Sequence, residues 1–234
     1  MRYAIYYTPP AGDALSRAAS GWLGRDPFGE AAPETPAWDG LSSGIACALT
    51  ADPRRYGFHA TLKAPFRLAD GMGEADLVAQ LHRFCAENRP FDIPCLTLGR
   101  IGRFFALVPD AVYGDLQSFA ANVVKVFDPF RAALNEAELA RRKPHLLSPA
   151  QQALLARWGY PYVMEEFRFH MTLTGPVPDE AMEAVDAGLR RIFAPFIGKP
   201  LTIGGLALFQ EKAPGADFTI QTWLPLSGHA AGGS

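Results

Sequence analysis

Cysteine is scarce: Cys47, Cys85 and Cys95 stand at unrelated spacings in 234 residues and form no C-x-x-C pair. That excludes a disulfide framework and predicts reduced, buried thiols. Long apolar runs are also missing, since none approaches the roughly 20 residues that a bilayer-spanning helix needs. The opening MRYAIYYTPP has one positive charge, is cut by Pro9 and Pro10, and offers no small-residue cleavage site, so it does not read as a secretory signal. The expectation is a cytoplasmic chain with no membrane partner. An excess of charge of one sign is absent too, with 22 Lys and Arg against 24 Asp and Glu, a net −2. A broad grip on duplex DNA needs many phosphates neutralised at once and is excluded, although a local basic patch is not. There is no G-x-x-x-x-G-K-[ST] loop, and no G-x-G-x-x-G follows a strand. ATP and dinucleotides therefore lack a cradle, and no cofactor is expected.

What is present is an ordinary globular composition, 49% hydrophobic and 20% charged, long enough for one large domain. Periodicity and turn signals predict a strand over 2–8, a helix over 13–23 and an irregular loop over 24–44 that could cover a site. A strand over 56–63, a helix over 74–88 and a strand over 91–100 follow. The order then begins again, with a strand over 104–108, a helix over 115–134, a strand over 166–174, a helix over 179–193 and strands over 201–210 and 218–225. Residues 135–161 form an insertion in which Ser148-Pro149 announces a helix. The reading is one α+β domain over 1–226, built of two pseudo-repeats (about 2–100 and 104–226), with a disordered Gly/Ala/Ser tail over 227–234.

One phrase occurs twice, HATLKAPF at 59–66 and HMTLTGPV at 170–177, in the shared frame His-x-Thr-Leu-x-x-Pro, each preceded by Phe (Phe58, Phe169). Alternation along a strand places Gly57, His59, Thr61 and Lys63 on one face and Arg168, His170, Thr172 and Thr174 on the corresponding face of the second copy. A polar face buried without partners would cost several kcal/mol, roughly, so these faces are expected to meet water or a ligand. If the two strands lie side by side or across a cleft, His59 and His170 supply a general base and a general acid to one phosphorus, and Thr61 and Thr172 donate to its non-bridging oxygens. An imidazole titrating near 6.5 populates both required forms near neutrality. Lys63 and Arg168 are expected to add positive charge for the developing oxyanion. A lone H-x-T strand histidine is more often a structural residue; the matched pair is what points to chemistry.

At these residues the chain resembles the 2H phosphoesterase superfamily. Within it, RYAIYYTPP, YGFHATLKAPF, RRKP and RWGYPYVMEEFRFHMTLTGP are similar to a bacterial branch associated with phosphonate metabolism. The resemblance implies a duplicated, bilobal α+β fold with two antiparallel-rich sheets flanking a central cleft and helices outside. It also implies a metal-independent cyclic phosphodiesterase that opens a ribose cyclic phosphate or a 2',3'-cyclic nucleotide, with His170 as base and His59 as acid.

Other residues are weighed against blander roles. Arg141, Arg142 and Lys143 could hold a second phosphate, since guanidinium groups suit phosphate oxygens, or could simply cap a solvated helix end. Arg54 and Arg55 have the same two readings. Of Tyr3, Tyr6 and Tyr7, one is expected to stack on a base or sugar, with Tyr3 chosen, and core packing is expected for the others. His82, His145 and His229 lack the threonine partner and are not candidates. No set of three or four ligands converges near His59 or His170, so a metal is not expected. The partner implied is a small phosphorylated substrate or an RNA end. The rival readings are a noncatalytic nucleotide or RNA-end binder using the same cleft, and a ligase-type transfer to an added alcohol.

Overall fold

Among the described residues eight strands pair antiparallel into one sheet, in the order β6-β3-β4-β5-β2-β1-β7-β8. They are β1 (Arg2–Tyr7), β2 (Ala60–Phe66), β3 (Phe91–Ile101), β4 (Phe104–Pro109), β5 (Met171–Thr172), β6 (Lys199–Ile203), β7 (Gly205–Glu211) and β8 (Phe218–Pro225). The structure is a computed structural model that describes residues 1–33 and 43–228. Seven α-helices accompany the sheet among these residues: α1 (Ala14–Leu23), α2 (Ser43–Tyr56), α3 (Glu74–Glu87), α4 (Gly114–Phe127), α5 (Glu136–Arg141), α6 (Pro149–Trp158) and α7 (Met182–Phe193). The architecture is α+β, with one continuous sheet in place of the two that were expected. Outward from the central β5–β2 pair, one side runs β4, β3, β6 and the other β1, β7, β8.

One face of the sheet carries the main core, where Phe58, Phe66, Phe84, Phe127 and Phe193 are buried among Leu62, Leu77, Leu81, Val123 and Leu189 from β2, α3, α4 and α7. Full burial of a side chain of this size contributes about 1.5–3 kcal/mol, so this layer dominates the stability. The opposite face carries a smaller cluster of Ala4, Tyr6, Ala207, Phe209 and Phe218. β1 divides its tyrosines accordingly: Tyr3 and Tyr7 point into the main core and Tyr6 points the other way.

Local chemistry sets several ends. Asp13 caps α1 by accepting from the Leu15 and Ser16 amides, and Gly24 closes it in the left-handed region. Ser148 and Gln151 form the capping box that starts α6, with Pro149 in its first turn. Several elements are shorter than the pattern implies. The helix expected over 115–134 ends at Phe127, and a 3-10 turn containing Pro129 follows. The expected strand over 201–210 breaks at Gly204 into β6 and β7. The second motif strand reduces to two residues, preceded by a 3-10 turn at Met164–Glu166. The expected strand start at Tyr56 is instead the end of α2, a helix outside the expected elements that carries Pro53 inside it. Residues 34–42 of the expected loop and 229–234 of the expected tail lie outside the described residues, so neither expectation is tested there. No helix among the described residues is long and apolar enough to cross a membrane.

Candidate active site

β2 and β5 lie side by side, paired through Ala60 and Met171. Extending that antiparallel register by one residue each way sets His59 opposite Thr172 and Thr61 opposite His170. The four residues form a quartet on one face, and all four line a cavity of about 340 Å³ with Tyr6, Tyr56, Tyr160, Phe104 and Arg142.

Each histidine is held in the same way. His59 Nδ1 lies 2.8 Å from the Gly57 carbonyl, and His170 Nδ1 lies 2.7 Å from the Arg168 carbonyl. A carbonyl only accepts, so each Nδ1 carries the proton and each Nε2 is left as the basic atom. His59 Nε2 lies 3.2 Å from Thr61 Oγ1, which can donate to it. The backbone that presents the Gly57 carbonyl is constrained. Gly57 adopts φ 76°, and a Cβ there would lie 2.6 Å from Pro27 Cβ, so only glycine fits between α2 and β2. On the other side, Trp22 Nε1 donates to the Leu173 carbonyl, the Phe105 amide donates to Thr174 Oγ1, and Phe169 is buried below.

Burial lowers the pKa of both rings. His59 is pushed down to about 4 by desolvation, with the nearby His170 lowering it further and its bond to Gly57 opposing. Its surroundings are aromatic: Tyr6 stacks on it with centroids 3.9 Å apart, and Tyr56 and Phe209 lie about 6 Å away. His170 is lowered for the same first reason, with Phe104 at 6.0 Å. In the free protein both rings are therefore neutral near pH 7.

The remaining candidates fall elsewhere. Lys63 does not share the face of His59. β2 carries an extra residue against β1 between the Tyr6–Thr61 and Ile5–Lys63 pairs, a bulge that turns Lys63 to the helix-covered side. There it is 2% exposed, donates to Asp128 Oδ1 at 2.6 Å and to the Val124 carbonyl, and is held down to about 8 chiefly by burial. Tyr3 is buried in the main core with its hydroxyl on Glu74, because it has the parity of Tyr7 and not of Tyr6. Arg168 is exposed and does not line the cavity; it contributes its carbonyl instead. Lys143 is exposed at φ 47° and lines neither this cavity nor the cleft beside it. Arg141 lines that neighbouring cleft, and Arg142 lines both. Arg54 and Arg55 bond to backbone carbonyls, and Arg55 also pairs with Glu211. Tyr6, Tyr56 and Tyr160 were not singled out as site residues. For Tyr6 the available signal was its parity in β1. Among the described residues no group of three His, Cys, Asp or Glu side chains is placed to hold a metal ion.

Comparison with known proteins places the chain in a family. The family model described as "Protein of unknown function (DUF1045)" matches residues 61–219, taking in Thr61 and the whole second motif, and the chain belongs to that family. A protein of Janthinobacterium sp. (strain Marseille) named "Ribose 1,5-bisphosphate phosphokinase PhnN" is 38% identical over 97% of this chain and 51% of its own length. A protein of the same name from Laribacter hongkongensis (strain HLHK9) is 35% identical over 97% of this chain and 53% of its own length. The chain thus spans about half the length of these relatives. A crystal structure of TT0787 of Thermus thermophilus aligns with a TM-score of 0.47 at 16% identity, over 98% of this chain and 100% of the other, a likeness too distant to inform the site.

Proposed function

We propose that this member of the DUF1045 family is a metal-independent phosphodiesterase of the 2H type that hydrolyses a small cyclic phosphate on ribose. The observation that carries the reading is the matched tethering of the two rings. Each Nδ1 is committed to a carbonyl two residues upstream, and each Nε2 is left for the cavity that also holds Thr61 and Thr172. A cyclic phosphate seated there would meet two hydroxyl donors and two imidazoles. One Nε2 removes a proton from the attacking water as the new P–O bond forms. The other protonates the ring oxygen as its P–O bond breaks, leaving a phosphomonoester and a free hydroxyl.

His59, the ring held more firmly neutral by its aromatic surroundings, suits the base. His170, beside the bound anion, suits the acid, since a phosphate charge raises the proton affinity of a neighbouring imidazole. This reverses the assignment that the superfamily resemblance implies.

The relatives' name supports the substrate class. Opening a 1,2-cyclic phosphate of ribose 5-phosphate at O2 yields ribose 1,5-bisphosphate, the compound in that name. This chain has no phosphate-binding G-x-x-x-x-G-K-[ST] loop, so the kinase chemistry of those longer proteins is assigned to the part that this chain does not match. The test is incubation of purified protein with ribose cyclic phosphates in excess chelator, followed by ³¹P NMR. Conversion of the cyclic resonance to a phosphomonoester is expected. Recovery of bound but intact cyclic phosphate would make the protein a binder.

A further inference from the structure

Beside the catalytic cavity, and sharing Tyr56, Pro65 and Arg142 with it, lies a larger cleft of about 530 Å³. Five arginines line it: Arg2, Arg55, Arg67, Arg141 and Arg142. Two carboxylates face them. Glu211, 1% exposed, takes Arg2 through two bonds and Arg55 through a third. Glu138 takes Arg67 through two bonds of 3.1 Å. Five guanidiniums against two carboxylates leave three positive charges without a counter-charge in the lining. Two of them are identifiable, because Arg141 and Arg142 have no carboxylate within ion-pair distance among the described residues. Arg142 is half-buried, with its guanidinium 4.9 Å from the Tyr160 ring centroid, which orients it without neutralising it.

In a chain of net charge −2 this concentration is local, and it adjoins the reactive face. Arg2, Arg55 and Arg67 are held in the cleft by these carboxylates. Planar guanidinium groups match phosphate oxygens better than any other side chain does. Arg142, which lines both spaces, is the bridge between them.

We infer that this cleft is a subsite for a second phosphate, a phosphomonoester on the same small substrate whose cyclic phosphate lies between His59 and His170. The inference rests on the phosphodiesterase reading for the reacting group, but not for the anion site. The substrate class becomes a ribose cyclic phosphate that carries a 5-phosphate.

The test compares three substrates, a ribose 1,2-cyclic phosphate with a free 5-hydroxyl, its 5-phosphorylated counterpart and a cyclic-phosphate-ended RNA, on the parent protein, the Arg141→Ala/Arg142→Ala double variant and Lys143→Ala. The parent is expected to favour the 5-phosphorylated compound. The double variant is expected to lose about 10- to 100-fold more in kcat/KM on that compound than on the 5-hydroxyl compound, as removal of charge-assisted contacts does, because any loss at the Arg142 side of the catalytic cavity falls on both substrates alike. Lys143→Ala should behave as the parent. Equal efficiency of the parent on both substrates, equal losses on both in the double variant, or a preference for a cyclic-phosphate-ended RNA over the 5-phosphorylated sugar would overturn the subsite. If the parent turns over neither of the two sugars, calorimetric titration with ribose 5-phosphate decides. Binding that the double variant abolishes upholds the subsite while the hydrolase reading falls, and no binding by the parent overturns the subsite as well.

Discussion

The Tyr6 ring lies flat on the His59 imidazole, with centroids 3.9 Å apart and planes inclined by 21°. The stack shields the ring from water on one side, and loss of hydration is the main reason that His59 holds a proton so weakly. Tyr6→Leu should expose the ring and raise its pKa towards the ordinary value. The acid limb of the kcat/KM profile then moves to higher pH, with a loss near pH 5 of ~2-fold for a shift of one unit and ~10-fold for a shift of two, and little change at pH 8. An unmoved limb would mean that His59 does not govern it.

The same depression makes stability depend on pH. His59 titrates at about 4 in the folded chain and near 6.5 when unfolded, so between these values the unfolded chain binds more protons. Stability is therefore lost as pH falls from about 6.5 towards 4. His170 is displaced in the same direction and adds to the slope. Calorimetric Tm values across this range should fall less steeply in His59→Gln, whose side chain does not titrate there.

Lys63 is paired inside the protein, so its role is structural. Asp128→Ala would leave an ammonium without its carboxylate beneath α4, at a cost of about 3–5 kcal/mol, whereas Lys63→Met removes the charge itself and should cost less. Urea titrations measure both. The fraction that remains folded should keep the parent's kcat/KM, and a selective loss of activity in Lys63→Met at unchanged stability would restore Lys63 to the site.

Gly57 links α2 to the first motif. Gly57→Ala forces a side chain into the left-handed region and against Pro27, so a loss of about 1–3 kcal/mol is expected. Because its carbonyl tethers His59, kcat should fall as well, as a drop in both stability and turnover measured on one preparation.

The site was legible to the extent that its chemistry repeats. Duplicated H-x-T phrases imply equivalent places, and β2 and β5 do meet at the centre of the sheet. Period-two alternation misled at Lys63 because one extra residue in β2 changes the parity beyond Thr61. A bulge is decided by the pairing of two strands and leaves no mark in one strand's own residues. Tyr6 was hidden in the opposite sense. Its parity in β1 was readable, but which parity faced the site depended on β1 pairing with β2. The arginine cleft joins Arg2, Arg55, Arg67 and Arg141, far apart in the chain, and only the fold brings them together.

The central claim is that two imidazoles act on one phosphorus. It is tested most directly by the rate of cyclic phosphate opening in chelator by His59→Ala, His170→Ala and the double variant, each confirmed folded. Each single variant is expected to lose about 10²–10⁴-fold in kcat, and the double variant little more than the worse single, because the pair acts as a unit. Parent-like rates in either single variant would contradict the account.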